Sequence, residues 1–288
     1  MSETTAQQTV TDELRRWIIS QAEAGCRPED IVAAMTKSGW QEDVAIDALE
    51  ATLRDRLDQV AREKASIPPP VPVPEPDLAS GRAVLEVDGR AIQILCAVKL
   101  PRVVVFGGLL SHEECDQLVE LARPRLARSE TVVNETGGSE VNEARTSSGM
   151  FFSRGENELI RRIEQRLATL VNWPLENGEG IQVLHYGPGA EYRPHQDYFD
   201  PAHAGTPTIL KRGGQRVGTL VMYLNTPKAG GATVFPDAGI DVAAVKGNAV
   251  FFSYDRAHPI AKTLHGGAPV VEGEKWVATK WMRQGVFV

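Results

Sequence analysis

The chain has 288 residues, of which 42% are hydrophobic and 24% charged, as is usual for a folded protein with a substantial core. No apolar run reaches the ~18 residues of a membrane-spanning helix. The N-terminus lacks the basic and apolar regions of a secretion signal, so we expect neither membrane insertion nor export. The cysteines Cys26, Cys96 and Cys115 are odd in number and widely spaced, which favours free thiols in a reducing cytoplasm.

The net charge of -7 is carried by the N-terminal part of the chain. Residues 1–80 hold 15 acidic and 8 basic side chains, whereas residues 81–288 hold 23 of each sign. The larger part therefore has no overall cationic field, and we expect no nucleic-acid partner.

Residues 1–64 show helical periodicity in three blocks. The first follows the cap-like Thr11, the second begins at Pro28, and the third runs from about 41 to 64. Three amphipathic helices with short connections predict a small acidic bundle, which resembles a ubiquitin-associated-type three-helix module. Two interpretations remain open: a module that docks a protein partner, and a solubilising or dimerising appendage.

Residues 65–82 form a proline-rich boundary. Six prolines fall within the ten residues 67–76, which favours an extended polyproline conformation over helix or sheet. We predict a stiff linker here, in preference to a ligand for a proline-binding domain, and a separate larger domain over residues 83–288.

The larger domain begins with a mixed pattern. A capping box at Ser111–Glu114 introduces one helix, and a second amphipathic helix is predicted over about 156–171. The predicted strands that precede them are 83–87, 91–98 and 102–106. Beyond them the sequence predicts short strands with Gly and Pro punctuation over 181–186, 190–195, 216–224, 233–235, 248–253, 260–265 and 275–281. This order predicts an α+β fold with a β-sandwich or jelly-roll core and flanking helices.

A histidine and a carboxylate lie two residues apart, at His195 and Asp197, in a run that is predicted to be extended. Side chains of a strand repeat every two residues, so both project from one face. They supply two thirds of a 2-His-1-carboxylate triad, a ligand set typical of non-haem Fe(II). For the second histidine we favour His265, because Gly266 and Gly267 allow close backbone approach, over His258, which precedes a proline.

Alternation over 275–281 places Lys275 on one face with Val277, Thr279 and Trp281. If that face is inward, the buried ammonium needs an anion, which a bound dicarboxylic cosubstrate would supply with Thr279 as an additional donor. Alternatively, Lys275 lies at the mouth of the strand and extends to water.

Taken together, these motifs resemble the Fe(II)/2-oxoglutarate-dependent dioxygenases and, within them, the prolyl 4-hydroxylase family, over about residues 100–285. The likeness is greatest to algal, plant and bacterial members of the collagen-type branch. It is carried by segments 111–116, 143–151, 179–186, 192–199, 214–224, 230–236 and 264–281. The resemblance implies a double-stranded β-helix (jelly roll) core and hydroxylation of peptidyl proline at C4, with release of succinate and CO₂.

The resemblance also implies roles for individual residues. Fe(II) would be held by His195, Asp197 and His265. The cosubstrate 2-oxoglutarate would be bound by Tyr186, Thr219, Lys275 and Thr279, with Lys275 pairing its far carboxylate. The peptide proline would lie beside Arg145, Glu179, Tyr192 and Trp281. The implied cofactors are Fe(II), 2-oxoglutarate and O₂, with ascorbate as reductant.

Two features leave the substrate open. Ala232 stands where many members of the family carry Glu in a Gly-Gly-Glu-Thr turn, and the segment 199–215 has its own composition. We expect segments 133–148 and 199–215, which are rich in small residues, to cover the site. The alternatives are the same cofactor chemistry on another side chain or a small molecule, and a non-catalytic interaction protein built on the same scaffold.

Overall fold

The computed structural model describes residues 9–128, 131–132, 139–140 and 145–288. The chain divides into two compact units, Met1–Pro68 and Pro69–Val288. In the described part of the chain, no helix is both long and apolar enough to cross a bilayer.

The first unit contains three helices, close to the predicted blocks. They are α1 (Asp12–Glu23), α2 (Pro28–Lys37) and α3 (Glu42–Ser66). The side chain of Thr11 caps α1 by accepting the N–H of Leu14, and Pro28 occupies the first turn of α2. Their shared core consists of Ile18, Ile31, Met35, Ala45, Ala48 and Leu49.

The second unit combines three described helices with many short strands. The helices are α4 (His112–Ala122), α5 (Glu158–Leu170) and α6 (Thr206–Leu210). The strands are β1 (Val84–Val87), β2 (Arg90–Val98), β3 (Arg102–Gly107), β4 (Ala127–Arg128), β5 (Thr131–Val132), β6 (Ser139–Glu140), β7 (Ser148–Phe152), β8 (Ile181–Tyr186), β9 (Tyr192–His195), β10 (Arg216–Tyr223), β11 (Ala229–Gly230), β12 (Thr233–Phe235), β13 (Ile240–Val242), β14 (Ala249–Ser253), β15 (His265–Gly267), β16 (Val270–Glu272) and β17 (Lys275–Arg283).

Two antiparallel sheets dominate this unit. The larger has nine strands in the order β1-β2-β3-β14-β10-β17-β8-β7-β4, and the smaller has four in the order β13-β12-β15-β9. Two further pairs, β11-β16 and β5-β6, stand apart from them. The four-stranded sheet covers one face of the larger one, and Phe235 of β12 meets Phe252 of β14 edge to face, with 5.3 Å between ring centroids.

The other face of the nine-stranded sheet is covered by helices. Apolar residues of α4 and α5, among them Leu118 and Ile163, pack with Leu220, Met222 and Trp276 of the sheet in one buried cluster. Neighbouring residues of each strand therefore face either the helices or the smaller sheet. The prediction of an α+β fold with a double-stranded β-helix (jelly roll) core and flanking helices is confirmed.

Some predicted elements differ from the structure. The strand expected over 260–265 is a 3₁₀ turn at Pro259–Ala261, and Lys262, with φ of 53°, ends it before β15 begins. Segment 199–215 contains the short helix α6, and segment 133–148 lies largely outside the described residues. The strand β7 was not predicted, because its Ser and Gly residues interrupt the apolar pattern.

The proline-rich segment, predicted as a stiff linker over residues 65–82, is docked over part of its length. Residues 69–76 lie on the second unit, where Val71 N–H donates to the carbonyl of Asp255 and Glu75 N–H to the carbonyl of Val171, both at 2.8 Å. Pro74 and Pro76 are buried. The alternate apolar side chains of this extended segment thus find a surface to cover, which a composition-based prediction does not anticipate.

Candidate active site

Two histidines and an aspartate meet at the edge of the smaller sheet. His195 ends β9 and pairs with His265, which begins β15, and Asp197 follows two residues after His195. Nε2 of His195 lies 3.6 Å from Oδ1 of Asp197, and Nε2 of His265 lies 3.5 Å from its Oδ2. One ligand atom from each residue lies within 4.8 Å of the others. Three residues distant in the chain therefore converge on one point.

Glycine lets the two strands approach. A Cβ at Gly266 would lie 2.8 Å from the carbonyl oxygen of Tyr192, closer than real Cβ atoms come to a neighbour. Only glycine therefore fits directly after His265, and this is the backbone approach expected from the Gly266-Gly267 pair.

Both histidine rings are oriented by backbone carbonyls. Nδ1 of His195 lies 3.0 Å from the carbonyl of Arg193, and Nδ1 of His265 lies 2.9 Å from that of Thr263. A proton on each Nδ1 satisfies these carbonyls and leaves each Nε2, beside Asp197, as the atom that can bind a metal. Burial lowers the pKa of His265 to about 4, so this ring is neutral at physiological pH, the form that binds a metal.

Asp197 is held by a buried hydroxyl pair. The Thr219 hydroxyl donates to Oδ2 of Asp197 at 2.7 Å and lies 3.0 Å from the hydroxyl of Tyr254. Burial alone would raise the pKa of Asp197, but the neighbouring imidazoles of His265 and His195 hold it well below its usual range. The carboxylate is therefore ionised and fixed in orientation.

Lys275 extends into the same cavity. Its ammonium lies against the rings of Tyr186 and Tyr223, at 5.7 and 6.0 Å from their centroids, and only 4% of the residue is exposed. Burial lowers the pKa of Lys275 to about 8, and among the described side chains no carboxylate forms an ion pair with it. The alternative that Lys275 extends to water is wrong.

The cavity is lined as the alternation of β17 predicts. Lys275, Val277, Thr279 and Trp281 all contribute to its wall, and Trp276, Ala278 and Met282 of the same strand pack on the helix side. Further lining comes from Arg145, Leu184, Tyr186, Tyr192, His195, Asp197, Thr219, Val221, Thr233, His265, Gly266 and Gly267.

An arginine and a tyrosine form the wall beside His195. The ring of Tyr192 stacks on that of His195 with 3.8 Å between centroids, and the guanidinium of Arg145 lies 4.7 Å from the Tyr192 centroid. Nη2 of Arg145 donates to Oε1 of Gln182 at 3.0 Å. Burial raises the pKa of Tyr192 to about 12, so its hydroxyl remains a neutral donor. The ring of Tyr192 is thus packed between neighbouring side chains, and this wall contributes hydrogen-bond donors to the cavity.

Glu179 lies outside the cavity lining, in contrast to the position that the resemblance implies. Burial would raise its pKa, but Arg216 and Arg283 hold the pKa low: Arg216 donates from Nε and Nη2 at 2.7 and 3.0 Å, and Arg283 from Nε at 2.6 Å. Arg216 in turn stacks on Trp281, 4.1 Å from its centroid. Glu179 therefore supports the wall through Arg216 and Trp281 instead of facing the cavity.

The other four histidines lie elsewhere in the described structure, and His112 is exposed at the start of α4. His185 pairs with Glu274 at 2.8 Å, His258 caps the 3₁₀ turn through the N–H of Ile260, and His203 is exposed in the segment before α6. His258, the weaker candidate for the second ligand, is thus engaged by local backbone.

Sequence reasoning missed Gln182, Arg216 and Tyr254. For Arg216 a signal existed, since a charged residue opening an apolar strand needs a partner when buried. A β-bulge between Arg216 and Gly218 shifts the alternation of side chains there. Counting alternate residues along the strand therefore does not show on which face of the sheet Arg216 lies.

The donors fit Fe(II) and a dicarboxylate. Two imidazoles and one carboxylate on one side of a point leave open positions for other ligands, which is the pattern of non-haem Fe(II) sites. The buried cation of Lys275, in the same cavity, fits the carboxylate at the far end of 2-oxoglutarate.

Comparisons with known proteins agree with this chemistry. The sequence profile of the 2OG-Fe(II) oxygenase superfamily matches residues 181–283. Prolyl 4-hydroxylase 5 of Arabidopsis thaliana is 42% identical over 209 residues, which cover 65% of this chain and 70% of the relative. Prolyl 4-hydroxylase 1 of the same plant is 45% identical over 203 residues, which cover 64% and 69%.

A solved structure is also similar. The viral collagen prolyl hydroxylase from Paramecium Bursaria Chlorella virus-1, in its 2OG complex, matches 63% of this chain and 95% of its own, at 30% identity and a TM-score of 0.49.

Proposed function

This chain belongs to the prolyl 4-hydroxylase family, and on that premise we propose that it is an Fe(II)- and 2-oxoglutarate-dependent dioxygenase that hydroxylates peptidyl proline at C4, with release of succinate and CO₂. The observation that carries the proposal is the cavity that holds His195, Asp197 and His265 together with the buried ammonium of Lys275.

The residues of the cavity have separate roles in binding the metal and the cosubstrate. His195, Asp197 and His265 hold Fe(II) through Nε2, a carboxylate oxygen and Nε2, and the metal with its cosubstrate supplies the O₂-dependent oxidation. Lys275 pairs the far carboxylate of 2-oxoglutarate. Tyr186 lies beside the ammonium of Lys275, Thr279 also lines the cavity, and Thr219 acts through Asp197.

The peptide is proposed to enter beside Tyr192. The indole of Trp281 suits a proline ring, and the Tyr192 hydroxyl and the Arg145 guanidinium are donors for peptide carbonyls. Glu179 contributes by fixing Arg216 against Trp281. Apolar residues around His265, among them Phe235 and Phe252, limit the access of water to the metal ligands.

We also propose where the reaction takes place, which reductant it uses and which partners the chain binds. We place the reaction in the cytoplasm, because Cys26, Cys96 and Cys115 are all free thiols, and we name ascorbate as the reductant by analogy with the family. The balanced charge of residues 81–288 argues for a peptide substrate rather than nucleic acid. The acidic bundle of residues 9–66 is proposed to dock a protein partner.

The test is turnover with defined substrates. The protein with Fe(II), 2-oxoglutarate, ascorbate and a proline-rich peptide should release succinate and add one oxygen atom per modified proline. His195→Ala should abolish both signals, whereas the matched variant His258→Ala, whose imidazole caps a 3₁₀ turn, should retain them. Turnover on a free amino acid or small metabolite, with none on any proline peptide, would overturn the substrate class and leave the cofactor chemistry standing.

A further inference from the structure

The chain carries proline-rich sequence of its own. Residues 68–76 read Pro-Pro-Pro-Val-Pro-Val-Pro-Glu-Pro, and proline fixes φ and biases the preceding residue to an extended conformation. The described backbone of this segment is neither helix nor strand. It is therefore similar in composition to the proline-rich peptide named above as the test substrate.

Its prolines are not equally accessible. Pro69, Pro70 and Pro72 are exposed, whereas Pro74 and Pro76 are buried. Pro74 packs where a Cβ on Gly218 would lie only 2.6 Å from its Cγ. The ring carbons of the first three prolines are thus open to a second molecule, and those of the last two are not.

The segment lies on the face of the large sheet opposite the metal ligands. Gly218 and Thr219 are consecutive in β10 and so project to opposite faces. Thr219 donates to Asp197 in the cavity, whereas the Gly218 side is covered by Pro74 and Met282, and Met282 belongs to the helix-side cluster. While the segment is docked, a chain cannot bring these prolines to its own site.

Few polar contacts attach the segment to the second unit, so part of it can open locally. Prolines donate no backbone hydrogen bond, and the segment is tied by the N–H groups of Val71 and Glu75 and by an ion pair of Glu75 with Arg102. The ion pair is partly exposed and contributes little. The end that carries the exposed Pro69, Pro70 and Pro72 is tied by the N–H of Val71, so it releases locally at a small fraction of the global unfolding free energy while the buried Pro74 and Pro76 stay in place.

From these observations we propose that Pro69, Pro70 and Pro72 are modification sites, hydroxylated at C4 by the active site of a second copy of the chain. The inference rests on the proposed function. In each event one C–H bond of the ring becomes C–OH with one oxygen atom of O₂, and the other oxygen atom enters succinate as 2-oxoglutarate loses CO₂.

The experiment uses two forms of the full chain. A ¹⁵N-labelled His195→Ala chain, which retains the segment, is incubated with unlabelled wild-type protein, Fe(II), 2-oxoglutarate and ascorbate, with an external proline-rich peptide in the same tube. Trypsin cleaves after Lys64 and Arg82 and releases the segment as one peptide. Fragment spectra should locate added oxygen on the labelled chain at Pro69, Pro70 or Pro72, with Pro74 and Pro76 unmodified.

The controls separate this inference from the proposed function. Replacing Pro69, Pro70 and Pro72 by Ala should remove the modification of the segment while hydroxylation of the external peptide continues. An external peptide that is hydroxylated while the labelled chain stays unmodified would overturn this inference alone, as would modification confined to the wild-type chain. Loss of both signals would overturn the proposed function and this inference together.

Discussion

The hydroxyl of Thr219 donates to Oδ2 of Asp197 at 2.7 Å, and the hydroxyl of Tyr254 lies 3.0 Å from the same Thr219 hydroxyl. An ionised carboxylate only accepts hydrogen bonds, so Thr219 donates to Asp197 and accepts from Tyr254. Burial raises the pKa of Tyr254 well above its usual value, so the phenol keeps the proton that it donates. The orientation of the carboxylate is therefore determined by two buried residues that lie behind it.

These two hydrogen bonds predict that Thr219→Val weakens metal binding. The isosteric change removes the hydrogen bond to Asp197, and the loss of such a supporting contact lowers metal affinity by roughly 10- to 100-fold. Titration with Mn(II) in place of Fe(II) measures the effect without turnover. Thr219→Ser keeps the hydroxyl and should bind like the wild type. A Thr219→Val protein with normal metal affinity and weakened 2-oxoglutarate binding would instead support the cosubstrate role that the family resemblance implies.

A second prediction concerns the cost of the buried ammonium. Burial lowers the pKa of Lys275 from 10.5 to about 8, so at pH 7 the folded chain without ligand holds a charge that burial disfavours. Lys275→Met removes this charge and should stabilise the ligand-free protein by about 3 kcal/mol. The same change should abolish 2-oxoglutarate binding. Urea unfolding and cosubstrate titration measure the two effects; lower stability with intact cosubstrate affinity would contradict the assigned role.

The same pKa predicts a pH dependence of cosubstrate binding. Below about pH 8 the ammonium of Lys275 is charged and pairs with the dicarboxylate, and above that pH the free protein loses this proton. The Kd for 2-oxoglutarate should therefore rise by up to about tenfold per pH unit above pH 8. Calorimetry with Mn(II) present, from pH 7 to 9.5, tests this. In Lys275→Arg, whatever its affinity, the trend should disappear, because a guanidinium stays charged.

Arg145 distinguishes a peptide substrate from a small one. Its guanidinium lies over the ring of Tyr192 and donates to Gln182 in the cavity wall. Arg145→Gln should lower peptide-dependent succinate release about tenfold or more, the equivalent of one lost contact of 1.4 kcal/mol, while peptide-independent decay of 2-oxoglutarate continues. Equal loss of both activities would place Arg145 with the cosubstrate instead.

Much of this site was predictable from the sequence because it depends on local regularities. Period-two alternation placed His195 with Asp197, which lies two residues beyond the end of β9, and Lys275 with Thr279 and Trp281 within β17. The preference for His265 over His258 followed from glycine and proline chemistry, which also acts within a few residues.

What sequence reasoning missed depends on contacts distant in the chain. Tyr254 contacts Thr219 across paired strands, and Arg216 donates to Glu179 beside a β-bulge. No spacing in the sequence indicates either pair. The docking of residues 69–76 was missed for a similar reason. Composition predicts that a proline-rich segment is extended, but not which surface it covers.

The assignment of the iron ligands can be tested by anaerobic titration of 2-oxoglutarate into the protein loaded with Fe(II), followed by the visible absorption band of the iron complex with 2-oxoglutarate. We predict one equivalent bound in the wild type and in His258→Ala, and no such band in His265→Ala. An absorption band that survives in His265→Ala, or none in the wild type, would contradict the assignment of His195, Asp197 and His265 as the iron ligands.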